Sequence, residues 1–161
     1  MTQQCALGQP TVNPSPHQSM SMDLLDTDHI TLLDRGGGEG ERLRARLTFV
    51  PPEEVVASVV SYEEQMRGWL AYIAQLQAVE HQAAGYQRLT RMLEFYCATP
   101  LLPFDEHAVE QFHRLWTGRL RIGTMDLKIA AIALAHNATL LSRNLVDFGK
   151  IPALRVEDWT L

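Results

Sequence analysis

The run Met22-Asp23-Leu24-Leu25-Asp26-Thr27-Asp28-His29-Ile30-Thr31-Leu32-Leu33 decides the fold class of this chain. Residues 22–25 are mostly apolar and read as a short strand. The polar Asp26-Thr27-Asp28 turn follows at once, and Ile30, Leu32 and Leu33 begin an apolar helical face. A strand feeding an acidic turn and then a helix is the opening half of a strand–helix–strand unit. Gly36-Gly37-Gly38 is expected to stop that helix. Gly36-Gly37-Gly38-Glu39-Gly40 is not a phosphate-binding loop, because no strand directly precedes it and no Gly-Lys-Ser/Thr follows.

The alternation continues outward from there. Residues 42–47 suggest another short helix, ended by Pro51-Pro52, and the valine-rich residues 55–60 predict a buried strand. From Ser61 the pattern turns helical, with an apolar stripe of Met66, Trp69, Leu70, Ile73 and Leu76. A second helical stretch over 83–97 places Tyr86, Leu89, Leu93 and Tyr96 on one side. Residues 101–104 predict a strand, after which Asp105 is a good N-cap for a helix through Trp116. Thr124 is expected to cap a helix containing Leu127, Ile129, Ala130, Ala133 and Leu134, whose small residues suit close packing on a sheet. Residues 138–142 read as a strand and 154–156 as an edge strand. Strands separated by helices require right-handed crossovers, so the expected class is α/β: three layers, with a central, mostly parallel sheet flanked by helices.

Composition narrows the function. A chain of 161 residues that is 46% hydrophobic has material for one domain with a real core. Residues 1–21 differ from the rest: three prolines, four glutamines and no charged side chain mark them as a disordered tail preceding a domain over 22–161. The net charge of −5 excludes a generally basic nucleic-acid coat, so an anionic substrate must meet a local basic patch or a bound cation. Two cysteines, Cys5 and Cys97, make no disulfide scaffold, and no apolar run approaches the roughly 18 residues of a membrane span. The expected setting is soluble, reducing and cytoplasmic.

The acids carry the functional signal. Asp26 follows the first strand, Glu64 comes just after the second, and Asp147 comes after the strand ending near Ser142. Asp126 lies in the first turn of the helix opening at Thr124. Ligands of open parallel sheets bind beyond the carboxyl ends of strands, so four acids distant in sequence are expected on one rim. Such a cluster repels itself unless a cation binds, and all-oxygen ligation suits magnesium or manganese rather than zinc. A cation so held suggests phosphate-ester chemistry. Each acid alone has a plainer role. Asp26 or Asp28 can cap a helix, Ser61-Tyr62-Glu63-Glu64 fits a capping box, Asp126 can favour a helix dipole, and Asp147 can be a solvated loop residue. The constellation, not any single acid, is the signal. The histidines His29, His107, His113 and His136 are scattered and read as surface or core residues.

Leu24-Leu25-Asp26-Thr27-Asp28 resembles the opening motif of PIN-domain proteins, especially the VapC-type toxin ribonucleases of type II toxin–antitoxin modules. Glu64-Gln65-Met66-Arg67-Gly68 is similar to their Glu-x-x-x-Gly helix, and Leu102-Pro103-Phe104-Asp105 to a later strand and cap. Ile122-Gly123-Thr124-Met125-Asp126-Leu127-Lys128-Ile129-Ala130-Ala131 resembles the segment carrying the third acid. Residues 140–148 and 154–159 resemble the family's ending, so the blocks span about 22–161 in the expected order. The resemblance implies a magnesium-dependent endoribonuclease (manganese being the alternative ion). Asp26 and Asp126 would be its principal metal ligands, Glu64 and Asp147 would complete the acidic site, and the products would be a 5′-phosphate and a 3′-hydroxyl. It further implies supporting roles for Thr27, Ser142 and Asn144, the last contributing a carbonyl but no charge.

The same resemblance implies a homodimer neutralised by a cognate antitoxin, a segment of which lies in a groove and blocks the site. Trp69, Tyr72, Ile73 and Leu76 are groove candidates and equally ordinary core positions. Arg119 and Arg121, close before Asp126, are the better candidates for RNA phosphates; Arg42, Arg44 and Arg46 read rather as a solvated helix face. Two other readings stand beside this one. Asp26-Thr27-Asp28 has the Asp-x-Asp spacing of a haloacid-dehalogenase-like phosphohydrolase, but Lys128 and Lys150 sit in no matching pattern. The other is a PIN-like module that binds RNA or a partner without cutting.

Overall fold

The computed structural model describes residues 21–161, so the tail expected over 1–21 lies, but for Ser21, outside the described residues. The first unit is strand β1 (Asp23–Leu25) followed by helices α1 (Thr27–Arg35) and α2 (Gly37–Leu47). Strand β2 (Val55–Ser58) leads into the long helices α3 (Val59–Gln75) and α4 (Val79–Ala98), and β3 (Leu101–Leu102) into α5 (Glu106–Thr117). Helix α6 (Thr124–Ala135), strand β4 (Thr139–Leu141), the single-turn α7 (Leu145–Phe148) and strand β5 (Val156–Glu157) complete the chain.

The strands pair in the order β3-β2-β1-β4-β5, and every pair is parallel. Because alternate residues of a strand face opposite sides, the sheet divides two cores. Leu24, Val56 and Leu140 pack against α5 and α6, through Ala108, Leu115, Leu127 and Ile129 among others. Leu25, Ala57 and Leu141 face the other way, onto Ile30, Met92 and Tyr96. The three-layer α/β architecture is the expected one. Helix α6 is buried over Ile129–Ala133 with no polar face there, which its run of small and branched apolar residues permits.

Several local expectations are corrected. Strand β2 ends at Ser58, not at 60, because the Ser58 hydroxyl accepts the Ser61 backbone N–H at 2.9 Å and so caps α3. Ser61 therefore lies inside the helix, and the capping box with Glu64 does not form. The glycine run ends α1 as expected, Gly36 closing it at φ 72°, but the second helix starts at once, at Gly37 (φ 82°) and not at 42. Helix α6 is capped by Gly123 with Thr124 as its first residue, so Thr124 makes no cap bond.

The long helices are also rotated relative to the sequence stripes. Leu70 is 50% exposed, as are Tyr86 (54%) and Leu93 (52%), whereas Gly85, Met92 and Tyr96 form the buried face of α4. The cause is close approach of α3 and α4: a Cβ at Gly85 would stand 2.6 Å from Ile73 Cγ1. Among the described residues no helix is long and apolar enough to cross a membrane.

Candidate active site

Strand order places the topological switch point between β1 and β4, where chain connections depart in opposite directions and leave a crevice at the carboxyl ends. Asp26 follows β1 directly into it. Its backbone N–H donates to Leu141 O at 3.0 Å, its Oδ1 accepts from Thr27 N–H at 2.7 Å, and its Oδ2 accepts from the Ser142 hydroxyl at 2.7 Å. Asp26 thus caps α1 and also faces the crevice. It is only 6% exposed, and burial pushes its carboxyl up to about 6. The Asp28 and Asp126 charges push the same way, while the Ser142 and Thr27 hydrogen bonds oppose them.

Asp126 stands in the first turn of α6, as expected. Burial raises its carboxyl above the usual range, and the charges of Glu64, Asp147 and Asp28 raise it further. The acids therefore share one neighbourhood with Asp126 at its hub. Glu64, one helical turn and a half into α3, accepts the Thr27 hydroxyl at 2.5 Å. Asp147 sits on α7, where Lys150 Nζ at 2.6 Å and the Asn144 amide at 3.3 Å hold its carboxyl below the ordinary value. Asn144 Nδ2 also lies 3.5 Å from Asp126 Oδ2, and its backbone N–H donates to Ser142 Oγ at 3.1 Å. Ser142, Asn144 and Thr27 all contact the acids, but Asn144 presents its Nδ2 to them and not the expected carbonyl, which accepts the Asp147 backbone N–H at 3.4 Å.

Asp28 is different. Burial pushes its carboxyl up, but hydrogen bonds from His29 Nδ1 at 2.9 Å and from Arg143 at 3.2 and 3.3 Å outweigh this and hold it low. The second aspartate of a phosphohydrolase pair is thereby engaged elsewhere, and that reading loses its acid. His29 itself is fully buried and links Asp28 to the Trp159 backbone N–H at 3.4 Å.

Among the described residues no three Asp, Glu, His or Cys side chains converge tightly enough to make a ready-formed cation cage. Each carboxylate is instead held by a local donor: Asp26 by Ser142, Glu64 by Thr27 and Asp147 by Lys150. The donor set is nonetheless all oxygen, and burial together with neighbouring carboxylates raises both Asp26 and Asp126, which matches a hard divalent ion and not zinc.

The basic candidates divide. Arg119 and Arg121 lie exposed in the loop between α5 and α6, directly ahead of Asp126. Arg42 and Arg46 clasp the carboxyl-terminal segment, Arg42 Nε donating to Thr160 O at 2.6 Å and Arg46 lying 4.8 Å over the Trp159 ring. Arg44 donates to Leu33 O at 2.8 Å. These three arginines are fastened to the protein, not merely solvated. Lys150 and Arg143 were not singled out from sequence; their only prior sign was a cation near an acid, a pattern too common to select them.

A groove of about 1080 Å³ runs from Thr27 and Glu64 between α1, α3 and α4, with Gly68, Trp69, Tyr72 and Phe95 in its walls. Trp69 and Tyr72 line it as expected. Ile73 does not, being buried against Gly85, and Leu76 lies at the end of α3 outside it.

The chain is similar to known proteins in sequence and fold. The PIN domain matches residues 24–153. Ribonuclease VapC1 of Haemophilus influenzae (strain R2866) is 27% identical over 117 residues, 70% of this chain and 79% of the relative. Ribonuclease VapC2 of Rickettsia felis is 50% identical over a shorter stretch of 40 residues, 25% of this chain and 30% of the relative. DNA-bound VapBC from Salmonella typhimurium superposes with a TM-score of 0.71 at 21% identity, covering 86% of this chain and 98% of the other. FitAcB from Neisseria gonorrhoeae gives 0.66 at 26% identity, over 86% and 98%. Asp26, Glu64, Asp126 and Asp147 all fall inside the matched span, and the chain belongs to the PIN domain family.

Proposed function

We propose that this chain is a magnesium- or manganese-dependent endoribonuclease and the toxin of a type II toxin–antitoxin pair. The observation that carries the reading is the place of Asp126 at the switch-point crevice, where its charge acts on Asp26 and those of Glu64 and Asp147 act on it. Relatives named ribonuclease VapC1 and VapC2, and VapBC complexes among the similar structures, support it.

Asp26 and Asp126 would hold the ion, with Glu64 and Asp147 around it. A bound ion supplies charge neutralisation at the phosphodiester and acidifies water. The chain's own residues do the rest. Ser142 and the Thr27 amide fix the Asp26 carboxylate in one rotamer. A carboxylate of the cluster takes a proton from the attacking water as its oxygen bonds to phosphorus; the bond from phosphorus to the 3′ oxygen breaks, and that oxygen takes a proton from the carboxylic acid so formed or from solvent, leaving a 5′-phosphate and a 3′-hydroxyl. Arg119 and Arg121 meet flanking phosphates. A segment of the antitoxin occupies the groove beside Trp69 and Tyr72 and so covers Glu64, and the working form is a cytoplasmic homodimer.

The test is cleavage of RNA by protein purified free of any partner. Cleavage with Mg2+, its loss in EDTA, and its loss in Asp26→Asn and Asp126→Asn are the expected results. Because no cation cage is ready-formed, the competing reading is a module that binds RNA without cutting. Metal-independent binding with no cleavage across diverse RNAs would establish that instead.

A further inference from the structure

Glu64 and Asp126 repel each other across the crevice, and Glu64 stands beyond the first turn of α3, past the point where that helix leaves β2 beside β1, so its direction needs a further tie. A closed circuit of hydrogen bonds supplies the tie. The Thr27 hydroxyl donates to Glu64 Oε2 at 2.5 Å, and the Thr31 hydroxyl donates to Thr27 O at 2.8 Å. The next residue of α3, Gln65, donates through Nε2 to Thr31 Oγ1 at 3.3 Å, and its Oε1 accepts from the Tyr96 hydroxyl at 2.9 Å. Thus Gln65 spans α1 and α4 at the level of the acid beside it. Tyr96 is 8% exposed, its ring set edge-on to Tyr62 and Phe95 at 5.1 Å, so its hydroxyl is a fixed anchor.

We propose that Gln65, held by Tyr96 and Thr31, is a positioning residue that sets the rotation of α3 and so keeps Glu64 directed at the Asp26–Asp126 crevice. Both ends of the Gln65 amide are satisfied between α1 and α4, and a leucine would pack there without fixing register. The inference rests on the nuclease reading of the same site.

Tyr96→Phe removes one hydroxyl without changing the ring. Thr31→Val and Thr31→Ser form a second pair in which only serine keeps the bond. The probes are cleavage of a model RNA with Mg2+ and, separately, Mn2+ affinity by titration calorimetry. Tyr96→Phe and Thr31→Val are expected to lower kcat about 10-fold with KM within about twofold, and to weaken Mn2+ about 10-fold, with Thr31→Ser restoring both. Lowered melting temperature with unchanged kcat and Mn2+ affinity overturns the proposal and leaves a purely structural tie. A wild-type protein that binds Mn2+ but cleaves no RNA sinks the nuclease reading alone, and the Mn2+ arm still decides the role of Gln65. A wild type that binds no Mn2+ overturns both.

Discussion

Ser142 at the end of β4 donates its hydroxyl to Asp26 at the end of β1 over 2.7 Å, joining the two strands that flank the switch point. The bond spans 116 positions of sequence and is fully buried. It compensates only part of what burial costs the carboxylate, because Asp26 still titrates near 6, above its ordinary 3.8. Its remaining cost comes from burial and from the charges of Asp28 and Asp126.

That imbalance sets a pH dependence. The folded protein holds the Asp26 proton more tightly than the unfolded chain does, so this contribution to stability is full below about pH 4 and is lost as pH rises through about 6. At pH 7.5 in EDTA, Asp26→Asn is therefore expected to be more stable than wild type by about 1–3 kcal/mol, with no gain near pH 4. Magnesium should then stabilise wild type and not the variant. Thermal unfolding at the two pH values, with and without the ion, checks all three; a variant less stable in EDTA at pH 7.5 contradicts the claim.

Asn144 places an uncharged amide 3.5 Å from Asp126 and 3.3 Å from Asp147. Asn144→Asp replaces two donor contacts with repulsion from both sides. The melting temperature in EDTA is expected to fall, by about 1–3 kcal/mol in stability, and the stabilisation gained from added Mg2+ to exceed that of wild type. Equal responses to Mg2+ in the two proteins would show that position 144 does not face the ion.

Gly68 sits in the middle of α3 in the groove wall, and a Cβ there would meet nothing within 4 Å. Gly68→Ala should thus raise stability by about 0.5–1 kcal/mol through helix propensity alone. Gly68→Trp should fold equally well yet bind the antitoxin far more weakly, because its ring fills the groove. Comparing melting curves with pull-down by the antitoxin separates the two effects; unchanged capture by the tryptophan variant would place the antitoxin elsewhere.

Arg119 and Arg121 are exposed in the loop before Asp126. Their replacement by glutamate should leave the melting temperature within about 1–2 °C while weakening RNA binding and flattening its salt dependence. Anisotropy titrations across salt concentrations measure this. An unaltered slope would remove both arginines from the RNA path.

Much of this was readable from the chain alone, and the reason is local. Strand positions such as Leu24-Leu25 and Leu140-Leu141 are continuous apolar runs because both sheet faces are covered, and an acid just past such a run lies at the carboxyl edge whatever surrounds it. The order of strands and acids, the Asp105 cap and the family membership all follow from patterns within a few residues. Tertiary structure alone decided where β2 yields to α3, since the Ser58 hydroxyl, not the propensity of Val59 and Val60, starts that helix. It also decided the rotation of α4 through the Gly85–Ile73 contact, the clasp of Arg42 and Arg46 on the carboxyl-terminal segment, and the pairing of Glu64 with Thr27. These depend on groups tens of residues apart approaching within hydrogen-bonding or van der Waals distance. No periodicity encodes that approach; only the packed chain creates it.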